Sequence, residues 1–269
     1  MSTNDTEMSF LAHLEIFRWH LIRSALAVLF FAIIAFIFKD IVFDVILLGP
    51  MLPTFPTYKV FCFLSKSLSI GEIFCFTESP FILMNISMSG QFAAHITTSF
   101  FAGFIIAFPY VFWEFWCFVR PALHSNEITM ARGIVFYSSA LFLLGVLFGY
   151  YIIAPLSVNF LGSYQVSNTV ANQISLNSFI STVTTVSFAT GIIFELPILV
   201  YFLSKIGLLT PSFMRTYRKH AIVLILILAA IITPPDVTSQ ILVLLPLIVL
   251  YEISISISAR VVRKNNNRS

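Results

Sequence analysis

Two intensely apolar runs near the C-terminus, residues 221–232 and 241–251, are separated only by Thr233, Pro234, Pro235, Asp236, Val237, Thr238, Ser239 and Gln240. A dozen helical residues rise about 18 Å, whereas the hydrocarbon core of a bilayer is about 30 Å thick. A hairpin of two such helices either thins the bilayer around it or holds its polar turn at membrane depth, facing protein or water. Such a turn is a place for another molecule to dock.

Bilayer thickness is the relevant yardstick because 58% of the 269 residues are hydrophobic and 10% charged, with a mean hydropathy of +0.95. A chain of that composition is an integral membrane protein. The first fifteen residues carry Asp5, Glu7 and Glu15, and no small-residue cleavage site follows a basic region. The first apolar run is therefore expected to be retained and not cleaved as a signal.

Six spans are expected: residues 21–38, 90–119, 133–153, 176–203 and the short pair 221–232 and 241–251. An even number places both termini on one side. Arg18, Arg23, Arg120, Arg132, Lys205, Arg215, Arg218, Lys219, Arg260, Arg263, Lys264 and Arg268, twelve of the 15 basic residues, fall on that side. The excess predicts cytoplasmic termini, and Trp19, Trp113 and Trp116 fall at the same span ends, where indole rings sit at headgroup level. The expected organisation is one polytopic membrane domain over residues 1–269, with an N-terminal cytoplasmic segment 1–20, an external cap loop 39–88 and a basic cytoplasmic tail 258–269. The tail suits anionic lipid headgroups rather than nucleic acid. Cys62 and Cys75 lie in the cap loop, where an oxidising compartment allows a disulfide; two free, small apolar thiols are the alternative.

Enzymatic motifs are missing. There is no His-Glu-x-x-His, no glycine-rich phosphate loop, and no His or Cys pairing at metal-ligand spacing, so neither metal nor cofactor is expected. His20 and His220 have no carboxylate at helical spacing to orient them as bases. Glu114 is close enough to a span end to snorkel to the interface. Glu195, about ten residues from Lys205, is near mid-membrane, where a carboxyl must be protonated, paired or facing a wet cavity. Pro197 is expected to bend its helix, and Ser178, Ser181, Thr182, Thr185 and Ser187 add a hydroxyl-rich stretch.

Four motifs taken in order give a resemblance. His13-Leu14-Glu15 with Arg18 precedes the first span, Pro121-Ala122-Leu123 with Glu127 follows the second, Phe194-Glu195-Leu196-Pro197 lies in the fourth, and Thr233-Pro234-Pro235-Asp236 with Ser239-Gln240 separates the last two. With six spans, this pattern resembles the TatC component of the twin-arginine protein translocase. The resemblance covers residues 9–260 and implies an all-α membrane protein with a glove-shaped fold and short fifth and sixth helices.

It further implies a receptor in a bacterial inner membrane that binds twin-arginine signal peptides of folded cargo. Such a receptor would assemble, as a homo-oligomer within a larger complex, with small single-span subunits of TatA or TatB type into a site driven by the proton-motive force. Two arginines require carboxylates at a partly desolvated surface. The matching positions are Glu127 and Glu15, with Arg18 steadying the N-terminal segment and Phe118 offering an apolar contact. The family's N-terminal glutamate stands three residues after the histidine, and that position is Ile16; Glu15 is one residue early, a turn of about 100° around a helix. Thr233 and Gln240 match positions that contact partner helices, while Asp236 either joins them or stabilises the turn beside the prolines. The alternative is a proton-coupled secondary transporter of a small solute. It would explain Glu195 and the broken spans, but should show a counterpart of residues 233–240 in the first half of the chain, and none is seen.

Overall fold

The computed structural model describes residues 10–67, 81–119, 131–167, 172–233 and 237–266. From Phe10 the chain meets neither glycine nor proline until Gly49 and Pro50, so the backbone ladder of α1 (Phe10–Ile37) runs uninterrupted through the segment expected to precede the first span. A π-helical stretch (Ile41–Leu47), a 3₁₀ turn (Gly49–Met51) and α2 (Pro56–Ser67) follow. The described part of the expected cap loop is thus largely helical.

Helix α3 (Gly90–Val119) matches the second expected span. The third runs further than expected: α4 (Ala131–Phe148) passes through a π-helical stretch (Gly149–Ile153) into α5 (Ala154–Ser163). The fourth divides at Phe194 and Glu195 into α6 (Leu176–Ile193) and α7 (Leu196–Lys205), because Pro197 in the first turn of α7 cannot continue the hydrogen-bond ladder of α6. Helices α8 (Pro211–Thr216), α9 (Arg218–Ile232) and α10 (Val237–Asn266) complete the order. Strands β1 (Ile82–Met84) and β2 (Gln173–Ser175) pair in parallel, with Leu83 opposite Ile174.

Six helical stretches are long and apolar enough to cross a bilayer by length and composition: Leu14–Ile37, Ile41–Ser67, Gly90–Val119, Gly133–Ser163, Leu176–Lys205 and Ser239–Lys264. They are not quite the six expected. Helix α9 is short, with 15 residues rising about 22 Å, as the hairpin argument requires. The apolar run that starts α10 is equally short, yet its helix is not, since it continues for 30 residues in all. Beyond Tyr251 the run turns polar with Glu252, Ser254, Ser256 and Ser258, and packing against α7 and α8 keeps that part helical.

Close approach of backbones holds the helices together. A Cβ on Gly103 of α3 would stand 2.4 Å from the Ala32 nitrogen of α1, and one on Gly149 would stand 2.8 Å from the Ser187 Cα. Without a hydrophobic drive between helices in lipid, this backbone contact and its dispersion energy are what associate them. Phe108 and Phe142 stack across α3 and α4 at 3.6 Å between centroids. Ile153, Val186, Phe194, Ile225, Ala229, Val243 and Leu247 form one core that ties α6, α9 and α10. The outward residues of α1, among them Leu26, Leu29, Phe30 and Ile33, are exposed, as lipid-facing side chains are.

Candidate functional site at the basic end of the bundle

Contacts gather the start of α1, the end of α3, the end of α7, α8, the start of α9 and the second half of α10 at one end. Phe17 of α1 meets Phe118 of α3 at 4.9 Å between rings, and Trp116 of α3 meets Phe202 of α7 at 5.2 Å. Ser204 Oγ of α7 donates to Ser258 Oγ of α10 at 2.8 Å, Tyr251 Oη to the Met214 carbonyl of α8 at 2.8 Å, and Arg218 of α9 pairs with Glu252 of α10 at 2.8 Å. Arg18, Arg23, Lys205, Arg215, Arg218, Lys219, Arg260, Arg263 and Lys264 all lie there.

At this rim Glu15 and Arg18 are exposed and Phe118 is half-buried; Arg18 extends over the Trp19 ring at 6.0 Å. The ring contact of Phe17 brings the turn carrying Glu15 and Arg18 next to Phe118. Glu127 lies outside the described residues.

Three expectations need correction here. Glu114 does not snorkel: its side chain is 8% exposed, and Tyr110 Oη donates to its Oε1 at 2.7 Å while His20 Nδ1 stands 2.5 Å from its Oε2. His20 therefore has an orienting carboxylate, supplied by a different helix, where helical spacing could not reveal it. Trp116 is not at headgroup level; it is buried, and its indole N–H has no hydrogen-bond partner among the described residues. It faces α7, a direction only helix packing determines.

Deeper in, Glu195 sits at the break between α6 and α7, where Ser138 Oγ of α4 donates to its Oε2 at 2.7 Å. Its Oε1 is buried and has no hydrogen-bond partner among the described residues. Of the α6 hydroxyls expected to make the helix polar, Ser187 is turned inward onto the Val183 carbonyl at 2.7 Å and Thr182 bonds the Ser178 carbonyl at 2.9 Å, while Ser178, Ser181 and Thr185 are exposed. Beside the break, α4, α7 and α10 leave an apolar groove of about 710 Å³, lined by residues including Tyr137, Leu141, Pro197, Tyr201 and Ile253, with Arg260 at its polar rim. No motif in the sequence announces it, because its walls come from three distant helices.

At the other end of α9 and α10, Thr233 is buried and its hydroxyl donates to the Ala229 carbonyl at 2.9 Å. Ser157 Oγ of α5 donates to Ser239 Oγ at 2.7 Å. Gln240 is half-buried, and its amide makes no hydrogen bond among the described residues. Asp236 lies outside them. Cys62 is disulfide-bonded, whereas Cys117 is a thiol; Cys75 is outside the described residues. Among the described residues no three His, Cys, Asp or Glu side chains are grouped to hold a metal ion.

Residues 12–246 match the family model described as Sec-independent protein translocase protein (TatC). The chain belongs to the TatC family. The TatC protein of Blattabacterium sp. subsp. Periplaneta americana (strain BPLAN) is 41% identical over 265 residues, covering 98% of this chain and 100% of the relative. That of Aquifex aeolicus (strain VF5) is 37% identical over 253 residues, covering 94% and 95%. The fold is similar to the crystal structure of the twin arginine translocase receptor TatC, with a TM-score of 0.69 at 36% identity over 91% of this chain and 97% of that one. A second crystal structure of that receptor, in DDM, gives 0.72 over 90% and 97%. TatC membership makes this chain a membrane-embedded component of protein transport rather than an enzyme, and displaces the small-solute transporter reading.

Proposed function

We propose that this TatC-family chain is the receptor subunit that binds the twin-arginine signal of folded cargo, and that it does so at the basic end of the bundle, facing the cytoplasm of a bacterium. The observation that carries the reading is the Phe17 to Phe118 contact, which puts Glu15, Arg18 and Phe118 on one rim, next to where the chain leaves α3 for Glu127. A guanidinium gains most from a carboxylate at a surface only partly open to water, where the hydrogen bonds are charge-assisted and bidentate. Basic residues crowd this rim and a disulfide-bonded cysteine lies on the segment after α1; both suit a reducing compartment at the rim and an oxidising one opposite, with the termini cytoplasmic. The domain organisation expected from the sequence, with an external cap and a basic tail, follows the same orientation.

Bound cargo then recruits single-span subunits of TatA or TatB type into a translocation site driven by the proton-motive force, several copies of the receptor acting in one complex. Gln240 is the stronger contact for those helices, because its amide has no hydrogen bond within the described residues, while the Thr233 hydroxyl is already used at Ala229. Asp236 lies between the two in sequence.

The test is a pull-down of the purified protein with a signal peptide bearing Arg-Arg or Lys-Lys at the motif. Capture of the arginine peptide alone, abolished by Glu127→Ala, is the expected result. Equal capture of both peptides, or undiminished binding by the variant, refutes the assignment.

A further inference from the structure

Glu114 has no part in the reading above, yet it lies on the same helix as Phe118, four residues before it. Helices α1 and α3 run antiparallel, and two contacts fix their register: His20 against Glu114 and Phe17 against Phe118. Glu114 is thus one helical turn, about 5.4 Å, inward from Phe118. His20 lies between, 6.4 Å from the Phe118 ring, and is more open than the carboxylate it covers, at 19% exposure against 8%. Tyr110 holds the other oxygen.

Adjacent side chains of an extended peptide point to opposite faces. Two neighbouring arginines therefore cannot both use one loop carboxylate, and a second acceptor has to stand on the other side of the peptide. Glu15 is exposed and stands two positions before Phe17, about 160° around α1 from the ring that meets Phe118. Glu114 has the required chemistry: an oxygen contacted by an imidazole with one ring nitrogen, which a guanidinium offering paired N–H groups would hold more strongly. An arginine side chain entering beside Phe118 is long enough to cover one turn and keeps its charge when poorly hydrated.

Resting on the signal-receptor reading, we propose that Glu114 is the acceptor for one of the two arginines, and that the incoming guanidinium displaces His20 from it. Recognition is then divided between two elements, the loop after α3 for one arginine and the α1–α3 seam for the other. The tyrosine keeps the carboxylate aimed while the histidine leaves.

The full-length protein in nanodiscs, titrated with fluorescent signal peptides bearing Arg-Arg, Arg-Lys, Lys-Arg or Lys-Lys, tests this. Glu114→Gln keeps the shape of the site. It is expected to weaken Arg-Arg binding by about tenfold or more, and to erase the penalty for lysine at one motif position while the penalty at the other remains. A purely structural role would weaken all four peptides alike, and that result overturns the proposal. Should the variant fold poorly, carbodiimide treatment of the unmodified protein with the Arg-Lys and Lys-Arg peptides provides the second measurement. One of them should link its lysine amine to the fragment bearing Glu114; links confined to Glu15 and Glu127 overturn the proposal. If the unmodified protein does not distinguish Arg-Arg from Lys-Lys, the signal-receptor reading itself fails, and this inference with it.

Discussion

Arg218, the first residue of α9, and Glu252 of α10 meet at 2.8 Å, at equal distances along their helices from the turn that joins them. Charges so placed belong at a membrane interface, and the turn then lies about 22 Å away, short of the roughly 30 Å of a hydrocarbon core. A polar residue at that depth has to find its partner inside the protein. Thr233 does so at the Ala229 carbonyl.

The Arg218–Glu252 pair marks that interface without stabilising it much. Both side chains are nearly half exposed, at 47% and 44%, so water and salt screen them. Glu252→Gln should cost less than about 1 kcal/mol, seen as a shift of no more than a few degrees in thermal unfolding in detergent. A collapse of the unfolding transition would assign the pair a structural role it does not have on this account.

Gly103→Leu should be far more damaging. Even a methyl group at this position would meet the Ala32 backbone at 2.4 Å, so α1 has to move off α3, and overpacking of this kind costs about 1–3 kcal/mol. Gly103→Ala is expected to fall in that range and Gly103→Leu at or above its top. Both should weaken signal-peptide binding as the Phe17 and Phe118 rings separate, which anisotropy titration would register.

Ser138→Ala removes the hydrogen bond on Glu195 Oε2 and leaves a half-buried carboxyl whose other oxygen already has no hydrogen-bond partner among the described residues. A loss of about 1 kcal/mol is expected. Glu195→Gln should impair export of a folded reporter while leaving signal binding intact; normal export in that variant would remove Glu195 from the transport step.

Gln240→Leu should leave thermal stability within about 0.5 kcal/mol of the parent, since the amide has no hydrogen bond to lose among the described residues. Cross-linking to a single-span partner helix is expected to fall. Ser239→Ala makes the contrasting control, because that hydroxyl accepts from Ser157 at 2.7 Å; it should lower stability by about 0.6 kcal/mol and leave partner cross-linking in place.

Hydropathy alone determined that the chain lives in a membrane and roughly where most of its helices run, because each span must satisfy its own backbone and so must be written as one local apolar run. Pro197 likewise announced the break beside Glu195, since a missing N–H acts on its own helix. The length of α10 was not legible: its polar second half owes its helix to α7 and α8, through Ser258 with Ser204 and Tyr251 with Met214. Nor was the partner of Glu114, which sits 94 residues away on another helix. Which face of α3 turns toward α1, and so whether a carboxylate is lipid-facing, solvated or held under a histidine, is decided by the close approach at Gly103. That approach is a relation between two helices, and no local pattern in either one encodes it.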